Sequence, residues 1–450
     1  MPRDPNEKLR HLLAVAGWTR ERLARAVNAV AAESGRTLTY DRTSVSHWLR
    51  GALPRGETPL YVAEALSRRL GRLVTPGEAG FPLAGQRKQG ENSAARTDPF
   101  TALRELAGAD LSSIWTGLPE RRLYRQADLA VPGWPEVTSP RSAPEVAPPA
   151  GEALAAMTSA FASADQRFGG GHARGALVAY LAGDVVDAAR RIPAGSGRRA
   201  VCAAAATACD LAGFMAFDSH LHGLALAYFR IALRLAVEAE DRDIYATVLH
   251  DISLQAWTLG DTASAARIAE LAVAAQEGGH RGRRMAELLG HLAVTHAALH
   301  QQDAARRALT SAEDVLTTTG AESATVAYQR AVVLEYAGRL TESQRAFAVS
   351  VKQRTSAERR SRALTSARLA GLRLRTGQME KARESIRDLL DDHAGLTSAR
   401  VDAALGELTR HLARDRRHPS SNVLLLELRE RLRHPATSGP GGGRDHAVQA

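Results

Sequence analysis

Few of the reactive side chains in this 450-residue sequence are spaced so that they could form a catalytic or metal site. His296 and His300 are four residues apart with Asp303 nearby, and two histidines at this spacing can hold a metal ion on one face of a helix. No cysteine or glutamate completes the set, so we expect no metal site there. The three glycines between Phe168 and His172 lack the Lys-Ser/Thr pair of a phosphate-binding loop, which favours a flexible connection between helices.

The two cysteines, Cys202 and Cys209, lie seven residues apart in an alanine-rich stretch. On a helix both side chains point to one face, and we expect core thiols in a reducing compartment rather than a disulfide or a metal pair. The sequence shows no Ser/His/Asp order, no pair of carboxylates and no His-Glu-x-x-His motif, and a helical repeat surface offers few enclosed clefts. It therefore predicts no enzyme and no bound cofactor.

The charge of the chain points to a different kind of chemistry. The net charge is +10, and residues 1–80 hold 13 Lys+Arg against 8 Asp+Glu, so the first fifth carries half of the excess. A basic segment of this kind is typical of a nucleic-acid-binding domain. The first residues contain no apolar stretch, and no run of eighteen apolar residues follows. We therefore expect a cytoplasmic protein with no contact to a membrane.

Composition favours helices throughout the chain. Hydrophobic residues make up 44% of the sequence and aromatic residues only 5%, and alanine, the strongest helix former, is abundant. We predict an all-α protein. Stretches rich in proline, glycine and polar residues divide it into a head at 1–83, a linker at 84–97, a short helical connector at 98–131, a Pro-rich linker at 132–151, a helical body at 152–434 and a tail at 435–450.

The head shows four helices in its apolar pattern. Residues 6–16 form the first, which Gly17 ends, and Thr19 caps the second. The third begins at Asp41 and places Val45 and Trp48 inward, while residues 58–70 form the fourth. This arrangement positions a short, polar third helix on the surface of a small domain.

The string RTSVSHWLRG at residues 42–51 resembles the recognition helix of the lambda-repressor-like (XRE) helix-turn-helix class. The head followed by a repeat body is similar to actinobacterial XRE-type transcription regulators with tetratricopeptide-repeat domains, a group linked to differentiation and secondary metabolism in streptomycetes. The resemblance implies a sequence-specific regulator that binds double-stranded DNA as a homodimer, with two heads on two half-sites. The repeat body is then the expected dimer surface.

The resemblance also assigns roles to individual residues. It places Arg42, Thr43, Ser44, Ser46 and His47 at base edges in the major groove, and Arg20 and Arg50 at phosphates. The span from Ala24 to Val45 is longer than the compact family pattern, so we expect a longer second helix and a loop that starts at Gly35. The alternative is a four-helix packing module that binds no DNA.

The body shows a repeat of 37 to 40 residues. A helix-breaking or polar residue recurs, and a small residue follows five positions later. The turn positions are Gly183, His220, Gly260, His300, Gly338 and Gly377; the small positions are Ala188, Ala225, Ala265, Ala305, Ser343 and Ala382. The turn residue lets one helix reverse into the next, and the small residue lets the two backbones approach closely.

This pattern resembles the tetratricopeptide repeat (TPR), with longer repeats and few of the usual aromatic residues. It predicts a TPR-like α-solenoid, which residues 420–433, capped by Ser420, close at the end. The alternative is an irregular bundle of unrelated helical hairpins.

The body is expected to bind a ligand or a partner on its inner face. Residues 151–421 contain no asparagine and only two lysines, Lys352 and Lys381. Asparagine side chains can pair with the backbone of an extended peptide, and lysine can bind its terminal carboxylate, so both residue types would be expected at a peptide-binding surface. We therefore expect a folded protein or a small molecule. Candidate contacts are Tyr245, His250, Gln255, His291 and Gln329. The alternative function is a TPR interaction scaffold whose head does not bind DNA.

Overall fold

Every regular element in the described part of the computed structural model is a helix. The structure describes residues 4–81, 97–117, 122–134, 149–192, 196–276, 282–414 and 419–433. The predicted 435–450 tail lies outside these ranges, as do the predicted 84–97 linker except for residue 97 and most of the predicted Pro-rich linker. The described chain is a four-helix N-terminal domain followed by a TPR-like α-solenoid, which confirms the predicted fold class.

The head consists of α1 (Glu7–Ala16), α2 (Arg20–Glu33), α3 (Arg42–Leu49) and α4 (Thr58–Leu70). Gly17 ends α1 with a φ of 62°, and the Thr19 side chain caps α2 by accepting from the backbone N–H of Arg22. The apolar faces of the helices meet in a separate core. Its fully buried members include Leu9, Leu23, Val27, Val45 and Leu66.

The long connection between α2 and α3 is ordered by one asparagine. The Asn28 side chain donates to the carbonyl of Tyr40 and accepts from its backbone N–H, at 2.9 and 3.0 Å. The Tyr40 ring then contacts the edge of Trp48, with centroids 5.0 Å apart. The turn begins at Gly35, where φ is 69°. Although the connection is longer than the compact pattern, these contacts tie its far end to α2 and to α3.

A connector packs between head and body. It comprises α5 (Pro99–Thr116) and a 3-10 turn (Gln126–Asp128). Asp110 of α5 is fully buried, and it accepts from the Arg174 guanidinium at 2.7 Å and from the Tyr228 hydroxyl at 3.1 Å. Phe100 and Leu103 of the same helix belong to the body's core. The connector helix is therefore attached to the first repeats.

The body is a series of antiparallel helix pairs. Its helices are α6 (Pro149–Phe168), α7 (Gly170–Tyr180), α8 (Val186–Arg191), α9 (Ser196–Asp218), α10 (His222–Glu238), α11 (Arg242–Thr258), α12 (Thr262–Gln276), α13 (Arg283–Ala298), α14 (Gln302–Thr319), α15 (Ala324–Tyr336), α16 (Leu340–Gln353), α17 (Arg359–Arg375), α18 (Met379–His393), α19 (Ala399–Arg414) and α20 (Pro419–Arg433). From α9 to α18, each helix packs most extensively on its partner in the pair, whereas α19 packs mainly on α17.

Five of the six predicted repeat turns are left-handed turns between paired helices. Their φ values are 59° at His220, 78° at Gly260, 61° at His300, 75° at Gly338 and 73° at Gly377. The small residues that follow these five turns are all fully buried.

The sixth predicted turn, at Gly183, is wrong. This glycine lies inside a π-helical segment, Leu181–Val185, which continues α7 into α8. Leu181 and Val185 at its two ends are fully buried, so the wide turn keeps both on the core side without reversing the chain. The small residue that follows, Ala188, is only partly buried.

The solenoid closes on itself, because α17 and the turn before α19 contact the first helices of the body. Arg360 of α17 makes two hydrogen bonds to Asp165 of α6, at 2.7 and 2.8 Å, and lies 3.6 Å from Asp218. Asp218 also accepts from the Ser398 hydroxyl at 2.7 Å and from the backbone N–H of Gly170 at 2.9 Å. The Ser398–Asp218 and Arg360–Asp165 contacts join residues 180 and 195 positions apart.

The glycine run after Phe168 is part of this closure rather than a flexible connection. A Cβ on Gly170 would lie 2.9 Å from the Met215 carbonyl and from the Asp218 Cβ. Gly171 donates to the Thr397 carbonyl at 3.0 Å, and Thr397 donates to the Phe168 carbonyl at 2.8 Å. Only glycine lets the two backbones come this close.

The long helix α9 carries both cysteines. Cys202 and Cys209 are free and buried, and burial raises the pKa of Cys202 to about 12 and that of Cys209 further. The segment Gly197–Asp218 is long and apolar enough to cross a membrane, but 72% of an apolar 18-residue stretch within it is buried inside the fold. These are the properties of a core helix with unreactive thiols.

Candidate nucleic-acid interface

Helix α3 has one buried and one exposed face. Val45, Trp48 and Leu49 pack into the head's core, while Arg42, Thr43 and His47 are exposed. Asp41 caps the helix by accepting from the backbone N–H of Ser44 at 2.8 Å and from the Ser44 hydroxyl at 2.9 Å. These two hydrogen bonds lower the pKa of Asp41. The eight-residue helix is therefore anchored by its apolar face and exposes polar side chains to solvent.

Three exposed arginines on this surface have no acidic partner within 4 Å among the described residues: Arg20, Arg42 and Arg50. Two of them converge on Ser46. Arg20 donates to the Ser46 hydroxyl at 3.1 Å, and Arg50 donates to the Ser46 carbonyl at 3.2 Å. This places guanidinium groups from α2 and from the end of α3 side by side. The surface is thus basic and uncompensated, which suits a phosphate backbone.

Several other arginines of the head are paired with carboxylates. Arg10, Arg25 and Arg36 lie 3.2 to 3.4 Å from Glu7, Glu21 and Glu57, respectively. Ion pairs of this exposed kind contribute little to stability, but they cancel the local charge. In contrast to these three, the guanidinium groups of Arg20 and Arg50 beside Ser46 keep their charge without a neighbouring carboxylate.

Two serines in the expected contact set also have structural roles. The Ser44 hydroxyl donates to Asp41 in the helix cap at 2.9 Å, and the Ser46 hydroxyl donates to the Arg42 carbonyl at 2.8 Å. His47 Nδ1 lies 3.4 Å from an Arg50 nitrogen. When Nδ1 accepts from Arg50, the Nε2–H of His47 is left as an outward donor.

The structure corrects four of the five candidate contacts in the body. Tyr245, Gln255, His291 and Gln329 are between 0% and 4% exposed, so they do not form an open inner surface. The Tyr245 hydroxyl donates to the Pro132 carbonyl at 2.6 Å. Its ring contacts Trp134, with centroids 5.2 Å apart. The end of the connector therefore covers this tyrosine.

The other three side chains join neighbouring repeats. Gln255 donates to the His222 carbonyl at 2.8 Å, and Gln329 donates to the Glu287 carbonyl at 2.9 Å. His291 Nε2 lies 2.9 Å from the Ser253 hydroxyl. Burial, together with the nearby His250, lowers the pKa of His291 well below its usual value. These neutral polar groups link neighbouring helices, although the Oε1 atoms of Gln255 and Gln329 have no hydrogen-bond partner in the described part of the chain.

His250 remains a partly exposed candidate. Its Nδ1 lies 2.9 Å from the neighbouring Asp251 carboxylate, and its ring contacts His291 with centroids 4.8 Å apart. His296, from the histidine pair considered for a metal, lies 2.7 Å from the Gln301 side chain through Nδ1. His300 occupies a turn.

The body has a charged groove between α14, α15 and α16. Its volume is about 440 Å³. Its charged residues are Glu313, Glu322, Arg330, Glu342 and Arg345, and Leu316 and Val349 add apolar surface. Val349 is 47% exposed. The groove offers both signs of charge around a small apolar patch, which is the composition of a polar protein interface.

Comparison with known proteins gives one match in the head. Residues 9–82 match the family model of the SP15 N-terminal domain, which spans α1 to α4. No curated protein matches the chain. Among solved structures, the chain is similar to the aspartyl phosphate phosphatase F of Bacillus subtilis, with 10% identity and a TM-score of 0.34 over 69% of this chain and all of the other. The description of the solenoid therefore rests on the helix pairs and turns of this chain itself.

Proposed function

We propose that the head binds double-stranded DNA sequence-specifically through α3 and that the protein regulates transcription in the cytoplasm. The observation that supports this most directly is the group of uncompensated arginines, Arg20, Arg42 and Arg50, around an exposed, well-capped helix. An eight-residue helix fits the major groove, and flanking guanidinium groups fit phosphates. Control of differentiation or secondary metabolism is the finer role that the sequence resemblance implies.

The body's proposed part is to bind a protein partner or a small molecule and to hold two copies together. The charged groove between α14 and α16 is the candidate contact surface for the partner.

The candidate contact surface for a second copy is the terminal helix α20, where the side chains of Val423 and Leu426 are 57% and 66% exposed. A dimer places two heads on two half-sites about one helical turn apart. Light scattering at micromolar concentration, with and without DNA, checks this, and a monomer in both cases contradicts it.

The experiment that tests DNA reading compares substitutions on two sides of α3. Genome-wide recovery of bound DNA first gives the operator. We then expect Arg42→Ala and His47→Ala to reduce discrimination among base pairs, by about 1 to 3 kcal/mol at the contacted position. Arg50→Ala is expected to weaken binding evenly across sequences and to reduce the salt slope by about 1. Fluorescence anisotropy on operator and scrambled duplexes measures both effects.

Arg72→Ala is the matched control, because Arg72 is an arginine of the head that pairs with Glu78 at 3.2 Å. We expect its affinity and salt slope to equal those of the wild type. An equal loss of specificity in the Arg42, His47 and Arg50 variants contradicts the assignment of faces. Absence of any salt-dependent, sequence-selective binding favours the second candidate, a TPR interaction scaffold whose head is a packing module.

A further inference from the structure

The head and the body have separate apolar cores and meet mainly through polar groups, although Leu123, just before the 3-10 turn, packs against the head's core. The head's core lies among α1 to α4, and the body's core begins with α5 and the first repeats. At the contact, α4 faces the turn between α11 and α12, and Gly71 lies so close that an added Cβ would be 2.8 Å from the Ala263 methyl. Interfaces of this polar kind between domains are commonly reversible.

One arginine is at the centre of this junction. The Arg68 side chain is 6% exposed, and it donates to both oxygens of Glu33 at 2.7 and 2.8 Å and to Glu64 at 2.8 Å. It also donates to the Leu259 carbonyl of the body at 3.3 Å, and its guanidinium lies 4.9 Å from the centre of the Tyr124 ring. Burial opposes its charge, but Glu33 and Glu64 outweigh burial and raise the pKa of Arg68.

Gln126 of the connector links the two sides. Its backbone N–H donates to the Glu64 carboxylate at 3.1 Å. Its side-chain amide donates to Asp261 at 3.2 Å and to Ser264 at 3.0 Å, at the start of α12. The junction thus runs from α2 and α4 through the connector to the body.

The junction holds more negative than positive charge. The carboxyl groups of Glu33, Glu64 and Asp261 face one guanidinium, so the fully ionised group has a net charge of −2. Burial raises the pKa of Glu64 and of Asp261, and the two carboxylates also repel each other. Of the other titratable groups that face Arg68, burial raises the pKa of Tyr124 well above its usual value and lowers that of His222 to about 3. Both are therefore neutral near pH 7.

Three oxygen atoms here are buried without a hydrogen-bond partner in the described part of the chain. They are Asp261 Oδ2, Gln126 Oε1 and the Tyr124 hydroxyl. A buried polar atom without a partner costs about 1 to 3 kcal/mol. A single proton on the Glu64–Asp261 pair lowers the net charge to −1 and adds a second hydroxyl donor near the unpartnered Asp261 and Gln126 oxygens.

We propose that the head docks on the body reversibly and takes up a proton from solvent at the Glu64–Asp261 pair as it docks. Docking then depends on the body's α11–α12 turn, so a change in the repeats can release the head. The claim that docking regulates DNA binding rests on the proposed function. The claim that the head docks reversibly rests on the geometry of the junction alone. The docked state holds more protons than the released state, so docking is favoured at low pH and weakens as pH rises. For one proton, the docking constant falls by up to about tenfold per pH unit.

The test follows the full-length protein by small-angle X-ray scattering and by hydrogen-exchange protection factors at α4 and at residues 259–264, between pH 5.5 and 8.5. We expect the radius of gyration to rise and the protection factors to fall with pH in the wild type. Asp261→Asn removes the titrating charge, so the head is expected to stay docked across the range. Arg68→Met is expected to release the head at every pH, and Arg72→Met, which removes an exposed pair with Glu78, to behave as the wild type.

If the wild type shows the same radius of gyration and the same protection factors from pH 5.5 to 8.5, the proposal is overturned. A pH dependence in Asp261→Asn equal to that of the wild type overturns it as well. Near-ultraviolet circular dichroism of each variant establishes that both cores are folded. DNA affinity measured in parallel separates the two hypotheses. A pH-dependent head that binds no DNA contradicts the proposed function and leaves the docking equilibrium intact, whereas DNA binding with a head fixed at all pH values contradicts only the docking equilibrium.

Discussion

Replacing Arg360 by alanine is expected to lower the free energy of unfolding by about 3 to 5 kcal/mol, because it leaves the Asp165 and Asp218 carboxylates buried without their guanidinium partner. The Arg360 and Asp165 side chains are 8% and 4% exposed, and Asp218 is fully buried. Burial opposes the charge of Arg360, but the two aspartates outweigh it and raise its pKa. Urea denaturation of wild type and variant measures the loss.

Arg339→Ala is the matched control for this substitution. Arg339 also pairs with a carboxylate, Glu342, but the two side chains are 58% and 43% exposed. An ion pair this exposed contributes little to stability, because solvent screens it, so the control is expected to stay close to the wild type. A loss in Arg360→Ala no larger than in the control shows that the ring closure is not held by this pair.

Loss of the contacts that close the solenoid is also expected to change hydrogen exchange locally. Gly170 and Gly171 donate their backbone N–H groups across the closure, to Asp218 and to the Thr397 carbonyl. In Arg360→Ala we expect these two amides to exchange with solvent faster, while amides in the middle of α13 keep their protection. A uniform loss of protection along the body instead indicates global destabilisation.

The sequence predicted the repeat well because each turn has a local cause. A residue in the left-handed backbone conformation ends one helix, and a small residue five positions later lets the next helix pack closely, as at Gly260 and Ala265. At Gly183 the same two-residue pattern occurs, but the chain forms a π-helical segment. A pattern of one glycine and one alanine does not distinguish a reversal from a widened helical turn.

The face of α3 was predictable for a similar reason. In an eight-residue helix, the apolar Val45, Trp48 and Leu49 determine which side is buried, and the remaining side chains are left fully or partly exposed. In the body this argument fails, because most helices are covered on several sides. Gln255 and Gln329 are polar and yet buried, since each finds a backbone carbonyl on a neighbouring helix.

The ring closure and the head–body junction were not predictable from local patterns. Arg360 and Asp165 are 195 residues apart, and Gln126 and Asp261 are 135 apart. Only the superhelical path of the repeats brings them together. The glycine run at 169–171 was a signal that backbones approach closely there, but the sequence does not name the partner.

The largest expected effect on binding comes from removing the three uncompensated arginines together. In Arg20→Ala/Arg42→Ala/Arg50→Ala we expect the affinity for operator DNA to fall by about 100- to 1,000-fold. Each lost contact contributes about 1.4 kcal/mol, or tenfold, and the range reflects that Arg20 and Arg50 share Ser46, so their two effects do not have to add in full. Arg20 and Arg50 are assigned to phosphates, so the salt slope is expected to decrease by about 2.

The matched control for the triple variant is Arg10→Ala/Arg25→Ala/Arg36→Ala, which removes the same formal charge from the head. These arginines are exposed but paired with glutamates, so their removal leaves the surface around Ser46 intact. We expect a decrease in affinity of about tenfold or less, from the weaker long-range field. Anisotropy titrations at two salt concentrations measure both variants. If the two triple variants lose affinity equally, net charge attracts the DNA and α3 does not read it.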